Sequence, residues 1–263
     1  MAPIVLLKNE TVPEDTYRTA FTNETDSLHF IPLLNHTPIN HAVIIDFLNS
    51  PEFKSYKAII ITSQRCIESL GLILETMKKL DNQKVQEITN MPAYTVGPAT
   101  YKALADLGFS DIRGGDKAGN GNILADLMIS DPLFNFQTAD ERKVLFLTGK
   151  IRKDIIPRKL IYAGFGFKEL VAYKTESRDD ILQIFDDVCT KLNNVNEKWL
   201  IFFSPQGTEN IVEHVKHNCG SWKIAVIGPT TEQYLLENNI TPHLVAKKPT
   251  AASLKEAIEN FNK

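Results

Sequence analysis

The feature that most constrains this chain is a short stretch that occurs twice, Val96-Gly97-Pro98-Ala99-Thr100 and Ile227-Gly228-Pro229-Thr230-Thr231. Each copy closes an apolar, strand-like run (Ala93 to Val96; Ile224 to Ile227) and opens a helix-like one (Thr100 to Leu107; Thr231 to Asn238). Gly lets the backbone turn tightly and approach a ligand, and Pro fixes φ where no helical bond needs its N–H. The hydroxyls of Thr100 and Thr231 are expected to cap the helices that follow. Such a turn leaves backbone N–H groups unpaired at a helix N-terminus, which makes a seat for an anion. Two seats point to one ligand with several negative charges, held between two similar halves.

Other elements repeat in the same order. Val5 aligns with Val144, Leu33 with Val171, Ser63 with Ser204, Gly97 with Gly228 and Asn122 with Ser253, at a nearly constant offset. The first series runs through a strand at Val5 to Leu7, a helix from Glu14 to Asn23 and an extended segment from Leu28 to Leu34. Pro32 makes it an edge strand or an interdomain segment. A short helix (Val43 to Asn49), the strand Ala58 to Ile61 and a helix from Cys66 to Lys79 come next. Ala58 to Ile61 is apolar on both faces, as a central parallel strand is. After the first glycine turn, Gly114 to Gly121 reads as a loop, Ile123 to Ile129 as a helix and Asp131 to Arg142 as a connector. The second series has strands at Val144 to Leu147, Leu170 to Tyr173, Trp199 to Phe203 and Ile224 to Ile227. Its helices lie near Asp154 to Ala163, Ile181 to Leu192, Thr208 to His217 and Ala251 to Phe261, the last with Thr250 as cap. The expectation is a duplicated α/β unit, giving two parallel sheets flanked by helices.

The 263 residues suffice for two cores of roughly 100–150 residues. A net charge of −3, from 29 basic and 32 acidic residues, lacks the basic field that bulk nucleic-acid binding needs. No apolar run reaches the ~18–20 residues of a membrane span. Met1 to Leu7 reads as a first strand and not as a signal peptide. Cys66, Cys189 and Cys219 lack CxxC spacing and read as reduced thiols in a cytoplasmic protein.

Ligands of open α/β sheets bind beyond the carboxyl ends of the strands. Four loops qualify: Thr62 to Arg65, Gly97 to Thr100, Ser204 to Thr208 and Gly228 to Thr231. Thr62, Ser63, Thr100, Ser204, Gln206, Thr208, Thr230 and Thr231 offer polar side chains, Gly97, Pro98, Gly207 and Gly228 shape the backbone, and Arg65 is the one fixed cation. His214, His217 and Cys219 have spacing compatible with a metal set, yet fit a polar helix end better, so no metal is expected. Gly114 to Gly121 lacks the order of a P-loop, and Gly164-Phe165-Gly166 follows a helix rather than a strand, so neither is a nucleotide fingerprint. Tyr173 ends an extended segment between the halves, where its phenol serves equally as a proton donor or as a packed amphipathic ring.

Ile60-Ile61-Thr62-Ser63-Gln64-Arg65, Val96 to Thr100, Val171-Ala172-Tyr173-Lys174-Thr175, Phe202-Phe203-Ser204-Pro205-Gln206-Gly207 and Ile227 to Thr231 together resemble the uroporphyrinogen-III synthase family. The resemblance implies two α/β domains joined by a two-stranded connector near Phe30 to His36 and Glu169 to Glu176, with the active site in the cleft between them. Domain 1 is then discontinuous, residues 1–34 and 175–263, and domain 2 is 35–174; the repeat alone would divide the chain near residues 130–143. It also implies a cofactor-free dehydration that closes the linear tetrapyrrole hydroxymethylbilane with inversion of ring D. Tyr173 matches the tyrosine proposed to assist departure of the hydroxyl. Gln64 departs from the family pattern, where many members carry Pro. The expected protein is a cytoplasmic monomer whose partners are its substrate and, transiently, the preceding pathway enzyme. The competing reading is a non-catalytic two-domain module that binds a small anion.

Overall fold

The computed structural model describes residues 2–11, 14–21, 27–135, 138–218 and 222–261. In chain order the elements are β1 (Ile4–Leu7), α1 (Thr16–Ala20), β2 (Leu28–Phe30), β3 (Leu34–Pro38), α2 (His41–Asn49), β4 (Ala58–Ile61), α3 (Gln64–Lys78) and α4 (Asn82–Thr89). Then come β5 (Ala93–Val96), α5 (Pro98–Asp106), β6 (Ile112–Gly115), α6 (Gly121–Ile129), β7 (Val144–Gly149), α7 (Ile155–Tyr162), β8 (Phe167–Ser177) and α8 (Ile181–Lys191). The chain ends with β9 (Lys198–Phe202), α9 (Glu209–Asn218), β10 (Trp222–Val226), α10 (Pro229–Glu237), β11 (Leu244–Val245) and α11 (Ala251–Phe261).

The fold is α/β. Contacts divide the chain into two compact units, Met1–Asn35 with Glu176–Lys263, and His36–Thr175. The first holds a five-stranded parallel sheet in the order β11-β10-β9-β1-β2. The second holds a six-stranded sheet in the order β3-β8-β7-β4-β5-β6, parallel from β8 to β6. Laid on the sequence repeat, β6, β5, β4, β7 and β8 answer to β11, β10, β9, β1 and β2, so the two sheets share one strand order. β3 lies beside β8: His36 meets Thr175 and Ile39 bonds Ala172, so the two strands run antiparallel.

Each sheet is buried on both faces, as parallel strands with helices on either side must be. Along β4, Ile59 and Ile61 pack with α2 and α3, while Ala58 and Ile60 pack with α6 and α7. Along β1, Val5 and Leu7 face α8 and α9, and Ile4 and Leu6 face α11. Each fully buried aliphatic side chain contributes about 1.5–3 kcal/mol by leaving water.

Several local expectations need correction. The segment Leu28 to Leu34 is not one strand: it breaks at Ile31-Pro32-Leu33 into β2 and β3. The Asn9 carboxamide takes over there, its Oδ1 accepting the N–H of Leu33 at 3.1 Å and of Leu34 at 3.2 Å. The start of the expected Gly114 to Gly121 loop is strand β6. At Gly114 (φ 94°) a Cβ would lie 2.2 Å from the Thr95 carbonyl oxygen, so only glycine allows β6 to approach β5 there. Asp131 to Arg142 begins with a turn that buries Phe134 against Phe165, centroids 4.9 Å apart. Helix α1 starts at Thr16 because Asp15 caps it, accepting the Tyr17 N–H at 2.9 Å; residues 22–23 of the expected helix lie outside the described residues. Helix α4 and strand β11 were not anticipated. Thr250 does cap α11, accepting the N–H of Ser253 at 3.3 Å.

Candidate active site

Strand order reverses between β4 and β7 in one sheet and between β9 and β1 in the other, and such switch points open a crevice at the carboxyl ends of the strands. In the His36–Thr175 unit, that point gathers the end of β4 (Thr62, Ser63), the end of β7 (Gly149, Lys150) and Tyr173 from β8. The β7–β8 ladder shifts register between Thr148 and Gly149, so Thr148 faces Val171 and Gly149 faces Tyr173. A bulge of this kind re-aims a side chain. Here the Tyr173 hydroxyl donates to Ser63 Oγ at 3.0 Å, and the Lys150 N–H donates to the Tyr173 carbonyl at 2.9 Å.

Ser63 occupies the N-cap of α3, yet its hydroxyl makes no capping bond. The first helical bonds run from the Cys66 and Ile67 N–H groups to the Ser63 carbonyl, leaving those of Gln64 and Arg65 without a partner inside the helix. The guanidinium of Arg65 pairs with Glu68 at 2.8 and 3.0 Å, so it is not the open cation the loop suggested. Nearby, His36 Nδ1 lies 2.9 Å from Thr175 Oγ1. Burial, and then the Arg65 charge, lower the His36 pKa.

The two glycine corners differ in conformation. Gly97 has φ 75° and ψ 159°, and its N–H reaches the carbonyls of Gly115 and Ala118, both at 3.1 Å. Gly228 is extended (φ −179°, ψ 174°), a conformation open to any residue. The expected threonine caps are overturned: Gly97 and Gly228 are the N-caps, Pro98 and Pro229 follow at the first helical position, and Thr100 and Thr231 lie inside the first turn. No side chain caps either helix. Tyr101 N–H bonds Gly97 and Glu232 N–H bonds Gly228, leaving Ala99, Thr100, Thr230 and Thr231 with N–H groups unpaired within their helices.

In the other unit, the β9 loop is closed by Thr208, buried, whose hydroxyl donates to the Pro205 carbonyl at 2.6 Å. Gly207 (φ 80°) runs against Leu33, where a Cβ would sit at 3.1 Å. Ser204 and Gln206 are exposed on this loop. Thr231 donates its hydroxyl to the Phe203 carbonyl at 3.2 Å, tying the second glycine corner to the β9 loop. A hollow of 220 Å³ opens there, lined by Phe203, Gly228 to Thr231 and the β11 loop with Lys247 and Lys248. A larger hollow, 600 Å³, lies at the amino ends of β9 and β10 around Trp222 and His243 and holds none of the expected site residues.

Thus Ser63, Tyr173 and the start of α3 come together in one unit, and Phe203 to Thr208 with Gly228 to Thr231 in the other. Gly149, Lys150, Lys247 and Lys248 were missed. The apolar run from Val144 stops at Leu147, short of the end of β7, and the β11 lysines follow a strand too short to show periodicity. His214 packs edge-on against Phe185, centroids 5.5 Å apart, and His217 lies 3.1 Å from Glu213. Cys219 lies outside the described residues, and among those described no three His, Cys, Asp or Glu residues are grouped as metal ligands. No helix among them is long and apolar enough to cross a membrane.

The family model for Uroporphyrinogen-III synthase HemD matches residues 15–256. Uroporphyrinogen-III synthase of Saccharomyces cerevisiae is 38% identical over 271 residues, covering 99% of this chain and 96% of the relative. That of Schizosaccharomyces pombe is 32% identical over 262 residues, covering 100% and 98%. Among solved structures, the uroporphyrinogen-III synthetase of Helicobacter pylori shares the fold with a TM-score of 0.55 at 21% identity, over 100% of both chains. A mutant Thermus thermophilus synthase does so with a TM-score of 0.50 at 12% identity, over 99% of both. Matched along nearly its whole length by the family model and by two synthases of its own size, the chain belongs to the uroporphyrinogen-III synthase family.

Proposed function

We propose that this protein is a cofactor-independent hydro-lyase that closes hydroxymethylbilane into uroporphyrinogen III with inversion of ring D. The observation that carries the reading is the Tyr173 phenol held at the switch point beside the open N-terminus of α3. Tyr173 gives its proton to the departing hydroxyl: the C–O bond breaks with its electron pair on oxygen, and water leaves. The resulting azafulvene is attacked by the substituted carbon of ring D to form a spiro intermediate, which fragments and recloses. The proton lost from the pyrrole carbon as it regains aromaticity returns to the phenolate.

The substrate is a polycarboxylate, so it needs anion seats more than cationic side chains. In this proposal the N–H groups of Gln64, Arg65, Ala99 and Thr100 on one unit, and of Thr230 and Thr231 on the other, receive acetate and propionate groups. Lys247 and Lys248 add charge beside the second corner. Thr62, Pro98, Ser204, Gln206 and Gly207 shape the seats, and Thr208 and Thr231 hold the loops that carry them. The work is orientation: free closure in water gives the symmetric isomer, and a grip on both ends of the chain turns ring D. The two domains are residues 1–34 with 175–263, and 35–174. The enzyme acts as a cytoplasmic monomer that meets the preceding pathway enzyme transiently.

The test supplies hydroxymethylbilane to the purified protein and separates the oxidised products by isomer. An excess of type III over type I is expected. Type I alone, at the rate seen without protein, would leave only an anion-binding module.

A further inference from the structure

We infer that Gly149 is a positioning residue for Tyr173: the missing side chain of Gly149 is the space in which the phenol lies. The inference rests on the reading of Tyr173 as the proton donor. Gly149 is buried at the end of β7, and its φ lies outside the region that favours glycine. The backbone therefore does not demand a glycine there, and the neighbouring ring does. A Cβ on Gly149 would stand 2.5 Å from Tyr173 Cζ, 2.8 Å from its hydroxyl oxygen and 2.9 Å from Cε1, closer than real Cβ contacts come. The atoms displaced are those at the reactive end of the side chain.

The rest of the phenol's surroundings fix where it lies. The bulge after Thr148 sets Gly149 opposite Tyr173, the Lys150 N–H fixes the Tyr173 carbonyl at 2.9 Å, and Ser63 Oγ receives the phenolic proton at 3.0 Å. The Ser63 hydroxyl is spared from capping α3 for this bond. A methyl group at Gly149 lifts the ring off β7 and breaks the Ser63 contact, although Tyr173 and Ser63 are both still present. Gly149 thus acts through Tyr173 and touches no reacting atom.

The test compares Gly149→Ala in the wild-type and Tyr173→Phe backgrounds, with hydroxymethylbilane as substrate. Gly149→Ala alone should lower kcat severalfold, by no more than Tyr173→Phe does, and change KM by less than about twofold. In the Tyr173→Phe background it should cost less than about a further twofold, since the hydroxyl it displaces is already gone. A folded Gly149→Ala enzyme with wild-type kcat, or one losing the same factor in both backgrounds, overturns the inference. Should Gly149→Ala fail to fold, thermal melting decides: Gly149→Ala/Tyr173→Ala should fold and melt close to Tyr173→Ala, and a double variant that stays unfolded overturns it. Wild-type turnover by Tyr173→Phe would instead remove Tyr173 from the reaction, leaving the melting comparison to judge the contact by itself.

Discussion

At the scale of single residues, the pair that matters is Tyr173 and Ser63, which lie 110 positions apart in the chain and 3.0 Å apart in space. Each was legible by itself: Tyr173 as a phenol ending an extended segment, Ser63 as a hydroxyl beyond a buried strand. Their hydrogen bond was not, because no local pattern shows which strands become neighbours. Tyr173→Phe keeps the ring and its packing, so it should lower turnover severalfold or more without unfolding the protein; unchanged turnover would contradict the assignment. Two histidines set a pH dependence. Burial lowers the pKa of both His29 and His36, and His29 Nε2 is buried without a partner. A base with a depressed folded pKa binds its proton more readily when unfolded, so stability rises with pH across the affected window. Their contribution is complete above the unfolded value near 6.5 and falls as pH drops through the lower folded values. Melting temperature should therefore decline from about pH 7 to pH 5 before carboxylates titrate, and His29→Gln/His36→Gln should flatten that decline. An equal slope in the variant would contradict it.

At the scale of elements, the repeated Gly-Pro corner was plain in the sequence, but its two copies do different work. Gly97 holds φ 75° with ψ 159°, a region almost confined to glycine, whereas Gly228 is extended. Gly97→Ala should cost about 1–3 kcal/mol in denaturant unfolding, and Gly228→Ala well under that. Equal costs would contradict the distinction. Central strands were legible too, because β4 is apolar at every position and fully buried. Ile60→Ala should cost about 2–5 kcal/mol by the same measurement, and a loss below about 1 kcal/mol would deny β4 its central place. What stayed hidden were elements whose shape depends on a neighbour. Strand β6 is read from Ile-Arg-Gly-Gly only once β5 lies beside it. The break between β2 and β3 depends on Asn9, far back in the chain.

For the whole molecule, the duplication was visible as five anchors in one order, and the common strand order of the two sheets is its structural counterpart. Which strands switch direction was not visible, since order within a sheet is a long-range property. For that reason the sequence carries no local sign of the site at the end of β7, with Gly149 and Lys150, while the glycine corners are plain in it. The proposed function requires backbone amides on both units to bind one polycarboxylate. Amide hydrogen exchange with and without uroporphyrinogen III tests it directly. Exchange should slow on binding at Gln64, Arg65, Ala99 and Thr100 in one unit and at Thr230 and Thr231 in the other. Protection confined to one unit, or absent from these amides at saturating ligand, would contradict it.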